Sequence, residues 1–338
     1  RAFLNGKMDL AQAEAVMELI SAQGREAMKA AQAGHDGALS RRIAAIRDDL
    51  TDVGAHLAAW ADYPDDDIPQ VDENMLKKRL SAGHDALEAL IRSFDGGRVL
   101  REGVVTVIAG KPNAGKSTLM NLLAGCERSI VTDLAGTTRD VVEETVLLGE
   151  IPLRLADTAG IRETEDRVEQ IGVKIALDRV RTAQFVLAVF DASEALNDDD
   201  RAMMEAIGET PCVAVVNKSD LPAAIDMAEI EARFPAVVTI SALSGDGLSA
   251  LAEAAARVLQ TAELNPNDGI LYTERQRADA KDALACIEEA QDALLRGMTW
   301  DAVTVSLEGA VAALNELTGE RVSDAVVDRV FEKFCVGK

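Results

Sequence analysis

The sequence predicts an α/β domain with a mostly parallel sheet, inserted into an all-α domain, and two observations predict it. Short β-branched runs alternate with helical stretches only between about Val99 and Ala262, the pattern of parallel strands joined by covering helices. On either side, over 1–98 and 263–338, the text is rich in Ala, Leu and Glu at helical spacing. With helical text on both flanks, a single helical domain interrupted by an insertion at 99–262 accounts for the order of the zones.

The first helical zone contains MDLAQAEAVMELISAQ, in which Leu10, Ala13, Val16, Met17 and Ile20 fall on one helical face. The acidic, proline-bounded stretch Tyr63-Pro64-Asp65-Asp66-Asp67-Ile68-Pro69 interrupts the pattern. It reads as a solvated connection, because nothing in the sequence orders three adjacent aspartates around a metal. In the middle zone the strand candidates are VVTVIAG, DVVEETVLLG, IPLRLAD, QFVLAVFDAS, PCVAVVNKSD and AVVTISA. Gly149 and Glu150 form a short turn between two of them, giving an antiparallel hairpin at the sheet edge. After Asn265-Pro266-Asn267-Asp268-Gly269 the helical text resumes and runs to the end.

Composition narrows the function classes. The chain has 338 residues, room for two or three domains, and 35 Lys+Arg against 58 Asp+Glu give a formal charge of -23. A surface that acidic repels nucleic acid, so any work on RNA needs a local basic patch or a basic partner. No apolar run reaches roughly 18 residues, so no membrane span is expected, and no secretory leader is read. Cys126, Cys212, Cys286 and Cys335 lack metal-ligand spacing and read as reduced thiols of a cytoplasmic protein. The first residue is arginine, as expected of a fragment or a processed chain.

The motifs carry the chemistry. Gly110-Lys111-Pro112-Asn113-Ala114-Gly115-Lys116-Ser117 follows a strand and precedes the helical TLMNLLAG, the context a phosphate loop requires. Its backbone N–H groups, from Asn113 through Thr118, cradle phosphate oxygens; Lys116 reaches the terminal phosphates and Ser117 offers its hydroxyl to magnesium. Asp157 at the end of IPLRLAD holds the magnesium shell, and in the following Thr158-Ala159-Gly160 the Gly160 N–H meets the γ-phosphate. In the switch segment Asp133-Leu134-Ala135-Gly136-Thr137-Thr138-Arg139-Asp140, Thr138, with Thr137 beside it, is the expected magnesium ligand. Asn217-Lys218-Ser219-Asp220 supplies a carboxylate for the N1–H and exocyclic amine of guanine, donors that adenine does not present. Ser241-Ala242-Leu243, after the last strand, offers backbone to the guanine carbonyl. Taken in this order, the motifs make the inserted domain a Ras-like P-loop GTPase domain that binds GTP and GDP.

Ile161 is the anomaly. It follows DTAG where the Ras-like branch has the glutamine that orients the attacking water. Either hydrolysis is poor or another residue or ion replaces the glutamine. Glu163, Glu165 and Glu169 lie downstream; a solvated acid at a helix start is the ordinary reading of Glu169. Arg139 and Arg162 read as surface residues of switch loops rather than as fingers in trans.

Asn113 within GKPNAGKS, the GTTRD switch, DTAGIRET and the terminal Cys335-Val336-Gly337-Lys338 together resemble the bacterial MnmE (TrmE) family of tRNA modification GTPases. The resemblance spans the whole chain, with RAFLNGKMDLAQAEAV similar to the start of that family's helical domain. Absent is the family's N-terminal domain, which binds folate and dimerises. The resemblance implies a potassium ion, held partly by Asn113, in the place of an arginine finger. It implies Glu169 as the residue that orients water through a bridging water, and a homodimer paired across the G domains. It further implies action with the flavoprotein MnmG (GidA) to place a carboxymethylaminomethyl or aminomethyl group on carbon 5 of the tRNA wobble uridine. Cys335 is implicated in that modification chemistry. Two rivals stand beside this reading: a ribosome-assembly GTPase of the same potassium-dependent branch, against which the acidic helical flanks and the CxGK tail argue, and a nucleotide-gated helical scaffold with little turnover.

Overall fold

The computed structural model describes residues 2–3, 5–62, 72–125, 144–155, 180 and 183–320. The chain divides into two compact units, one formed by Arg1–Ala22, Glu26–Gly97 and Asn265–Lys338, the other by Gln23–Arg25 and Arg98–Leu264.

The first unit is helical. Its helices are α1 (Leu10–Ser21), α2 (Arg25–His35, but for its first residue), α3 (Ala38–Asp62) and α4 (Glu73–Glu102, as far as Gly97), in order along the chain. On α3, Leu39, Ile43, Ile46, Leu50, Val53 and Leu57 are buried at alternating four- and three-residue spacing, which lays one apolar stripe along the helix. That stripe packs with Leu80, Leu87, Leu90 and Phe94 of α4. The same core takes in the two helices that close the described chain and are numbered below.

The buried face of α1 differs from the expected one. Leu10 and Ala13 are buried, but Val16 and Met17 are only half-buried and Ile20 is 74% exposed. Glu14, 6% exposed, is buried in their stead. The reason is a bidentate ion pair: Arg275 donates to Glu14 through Nε at 3.1 Å and Nη2 at 2.8 Å, and Gln276 adds Nε2 at 2.6 Å. A buried carboxylate is tolerated when donors meet both oxygens, so the helix turns Glu14 inward.

The second unit is the α/β domain. Its strands are β1 (Val104–Ala109), β2 (Glu144–Leu148), β3 (Ile151–Leu155), β4 (Phe185–Asp191), β5 (Cys212–Asn217) and β6 (Val237–Thr239), in the spatial order β2-β3-β1-β4-β5-β6. All neighbours pair in parallel except β2 and β3, the edge hairpin turned at Gly149 and Glu150. Its helices are α5 (Lys116–Gly125), α6 (Asp198–Ile207), α7 (Met227–Arg233) and α8 (Leu248–Val258); the helical unit resumes with α9 (Glu274–Leu295) and α10 (Trp300–Thr318). Every residue of β4 and β5 is buried, as expected of central strands covered on both faces. Cys212 on β5 is buried, which pushes its thiol up to about 12; with Cys286 it is a free cysteine, and neither is in thiolate form at neutral pH. No described helix is long and apolar enough to cross a membrane.

Candidate nucleotide site

In an open parallel sheet a ligand sits beyond the carboxyl ends of the strands, where the strand order reverses. That point is β1, with β3 on one side and β4 on the other. The Gly110–Ser117 loop leaves its carboxyl end, the Asn217–Asp220 loop leaves that of β5, and the Ser241–Leu243 loop follows β6.

Glycine is required twice in the phosphate loop by close approach. A Cβ on Gly110 would lie 2.5 Å from the Val189 carbonyl oxygen, and one on Gly115 would lie 2.1 Å from Asn217 Nδ2. Gly115 also has φ +97°, a left-handed conformation open mainly to glycine. Asn113 at the crest has φ 61° and is exposed. The Leu119 N–H bonds the Gly115 carbonyl at 2.9 Å. This is the first bond of α5, and it leaves the N–H groups of Gly115 through Thr118 without intrahelical partners, an anion site with the positive end of the helix dipole behind it. Ser117 and Thr118 are exposed there.

Lys116 Nζ donates to the carbonyls of Gly110 at 2.8 Å and Lys111 at 2.7 Å. Among the described residues it forms no ion pair, and its burial lowers the pKa of its ammonium. It is the cation held ready inside the loop.

Asn217 joins the loops. Its Nδ2 donates to the Ala114 carbonyl and its Oδ1 accepts from the Ala242 N–H, each at 2.9 Å, with the side chain 2% exposed. Ser241 Oγ donates to Asp220 Oδ1 at 2.6 Å, and the Ser219 N–H bonds the Ile240 carbonyl at 3.0 Å. Asp220 is exposed and aligned by Ser241 from beneath. Leu243 is 82% exposed.

Asn113, Ala114, Gly115, Lys116, Ser117, Thr118, Asn217, Lys218, Asp220, Ser241 and Ala242 thus belong to loops that meet at one end of the sheet. Thr137, Thr138, Asp157, Thr158, Ala159, Gly160, Glu169 and Cys335 lie outside the described residues, as do Arg139, Ile161, Arg162, Glu163 and Glu165. Sequence reading missed the carboxylates behind the loops. Asp191, at the end of β4, accepts from the Lys218 ammonium and from Ser193, through N–H at 2.9 Å and Oγ at 2.6 Å. Burial pushes its carboxyl up, but Lys218 and Ser193 more than offset that and hold it below the ordinary range. Asp200 and Glu194 hold Lys111 in the same way. No motif contains these acids, and only the late position of an acid at the end of QFVLAVFD signalled one of them.

A family model, the MnmE helical domain, matches residues 10–335. The tRNA modification GTPase MnmE of Natranaerobius thermophilus is 40% identical over 341 residues, covering 100% of this chain and 74% of that protein. The protein of the same name from Acaryochloris marina is 41% identical over 339 residues, with the same coverage of each. Similarity that runs through both the helical text and the inserted nucleotide loops leaves one conclusion: the chain belongs to the MnmE family of tRNA modification GTPases.

Proposed function

We propose that this GTPase hydrolyses GTP with potassium and a glutamate in place of the missing glutamine, and uses the reaction to drive modification of the tRNA wobble uridine at carbon 5. The reading carries over the family's partners: a second copy of the chain paired across the G domain (99–262), the flavoprotein MnmG, and tRNA bound through that assembly in the cytoplasm. The helical zones 1–98 and 263–338 are assigned to one helical domain. Folate is carried over from the family as a further cofactor, and Cys335 is assigned to the modification chemistry.

The observation that carries the reading is the joining of the phosphate loop to both base loops through Asn217. With Asp220 aligned by Ser241, the site presents two carboxylate oxygens to the paired donors of guanine, whereas adenine would set a ring-nitrogen acceptor against them.

The residues present fit the two ions. Ser117 is an exposed hydroxyl beside the anion site, suited to a hard cation that also takes phosphate oxygens; Thr138 and Asp157 are assigned to the same magnesium. Asn113 is exposed in a left-handed turn, and its amide makes no hydrogen bond among the described residues, so its carbonyl oxygen is available to potassium. A cation there supplies positive charge beside the phosphates, where charge develops during phosphoryl transfer. Glu169 is assigned to orient the water.

The test is steady-state GTP hydrolysis in potassium and in sodium chloride at equal ionic strength, across protein concentrations, with Glu169→Ala and Asn113→Ala alongside. A rate that rises with potassium and with protein concentration, and collapses in both variants, supports the reading. Equal rates in the two salts would rule the potassium role out.

A further inference from the structure

Two lysines of the nucleotide loops are gripped from a single segment that contains none of the binding motifs. β4 ends at Asp191 and α6 begins at Asp198. Asp191, 2% exposed, takes the ammonium of Lys218. Nine residues on, Asp200, 1% exposed, sets Oδ2 3.3 Å from Lys111 Nζ, and Glu194 sets Oε2 2.9 Å from the same ammonium. The Lys111 side chain is 8% exposed. The backbone follows suit, since the Ala192 N–H bonds the Asn217 carbonyl at 2.8 Å.

Stability alone is a poor explanation for these acids. A buried ion pair gains little over apolar residues of the same volume, because desolvation offsets most of the attraction. What such a pair does supply is a fixed geometry, and both lysines stand where geometry matters. Lys218 holds φ 65°, a conformation that a non-glycine residue keeps only when its surroundings impose it. Lys111 contributes the carbonyl that accepts from Lys116 at 2.7 Å. Asp200 is stretched between two tasks: its Oδ2 also accepts from the Asn197 N–H at 3.1 Å, in the capping box of α6, while its buried Oδ1 has no hydrogen-bond partner among the described residues. A side chain placed for helix capping alone would have no reason to bring in the lysine of another loop.

We propose that the Asp191–Asp200 segment positions both halves of the nucleotide site, Asp191 setting Lys218 beside the base and Asp200, with Glu194, setting Lys111 and through it the phosphate loop. The inference rests on the reading that a guanine nucleotide occupies these loops. It has an electrostatic corollary. The charges of Lys111 and Lys218 are balanced by carboxylates, so of the three loop lysines Lys116 is the one with no carboxylate partner among the described residues.

The experiment measures N-methylanthraniloyl-GDP binding and GTP hydrolysis on the full chain carrying Asp191→Asn or Asp200→Asn, with far-UV circular dichroism as the folding control. Each variant is expected to raise the Kd for the probe at least tenfold and the KM for GTP in parallel, with kcat changed less than about twofold. Lys218→Met and Lys111→Met approach the same pairs from the other side and are available where an aspartate variant does not fold. In a Lys218→Met background Asp191→Asn is expected to weaken binding by less than twofold further, since its effect runs through that lysine; Lys111→Met with Asp200→Asn behaves likewise. Lys111→Arg, which keeps the charge, is expected to retain binding. A lower Tm with Kd and KM unmoved, or aspartate and lysine effects that simply multiply, overturns the positioning role. Failure of the unsubstituted chain to bind the probe removes the nucleotide site and this inference with it, whereas tight binding by the unsubstituted chain and the variants alike overturns the inference alone.

Discussion

Asn217 Nδ2 donates to the carbonyl of Ala114 at 2.9 Å across a sequence separation of 103 residues, and so ties the end of β5 to the Gly110–Ser117 loop. Both ends of this amide are used, because its Oδ1 accepts from the Ala242 N–H. Replacement by alanine strands a buried carbonyl and a buried N–H, at about 1–3 kcal/mol each. Asn217→Ala is therefore expected to lower the Tm by several degrees and to weaken GDP binding more than tenfold, read by thermal denaturation and by titration calorimetry. A Kd within twofold of the unsubstituted chain would show that the loops hold their places without this residue.

The same contact makes Gly115 intolerant of any side chain. A Cβ there meets Asn217 Nδ2 at 2.1 Å on a backbone with φ +97°. Gly115→Ala pushes against a buried amide held at both ends by hydrogen bonds, so it is expected to abolish measurable GTP binding while the helical unit stays folded. Equilibrium dialysis with labelled GTP, beside circular dichroism, checks both halves of the statement.

In the proposed function Asp220 accepts two hydrogen bonds from guanine, and Ser241 keeps one of its oxygens oriented. Asp220→Asn turns one acceptor into a donor, which opposes guanine and suits xanthine, whose exocyclic oxygen takes the place of the amine. GTP affinity should fall by about 100-fold or more, and xanthosine triphosphate should become the better substrate. Hydrolysis rates for the two nucleotides, measured in parallel, decide this.

In the helical unit, Arg275 grips Glu14 and also donates to the carbonyls of Glu316 at 3.0 Å and Leu317 at 3.1 Å. Arg275→Met leaves a buried carboxylate without its cation and two helix-end carbonyls without a donor. The expected loss is about 3–5 kcal/mol in urea unfolding. Glu14→Gln with Arg275→Met should recover part of it, because the uncompensated charge is then gone.

Asp279 beside this pair predicts a pH dependence. Burial pushes its carboxyl up from 3.8 to about 6, with Glu316, Glu14 and Asp282 adding to the rise and Arg275 opposing it. The folded chain thus binds a proton more readily than the unfolded one, so this group's contribution is greatest below about pH 4 and is lost as pH rises through about 6. Asp279→Asn removes this titration: the variant is expected to gain stability relative to the parent as pH goes from 4 to 7, by no more than about 2 kcal/mol once solvent screening is allowed for. Urea midpoints across that range give the answer, and a difference that does not change with pH would contradict it.

Much of this protein was readable locally. The strands of the inserted domain, its edge hairpin at Gly149, and the loops built on Gly115, Asp220 and Ser241 are encoded by residues close together in the chain, because turn geometry, side-chain alternation and backbone curvature around a phosphate are short-range properties. The helical character of the flanks was equally plain, for propensity and apolar spacing are local too. What local text could not decide was which polar groups go inside. Ile20 looked like core and is exposed, whereas Glu14 is buried because Arg275 and Gln276, 261 and 262 residues away, come to meet it. The grip of Asp191 on Lys218 and of Asp200 on Lys111 arises in the same way. A charge is buried only when a partner is brought to it, and whether that partner arrives depends on how the helices and strands pack. Elements and nucleotide-loop motifs are therefore local in the chain, whereas the side chains that hold those motifs in place are set by packing between segments far apart in it.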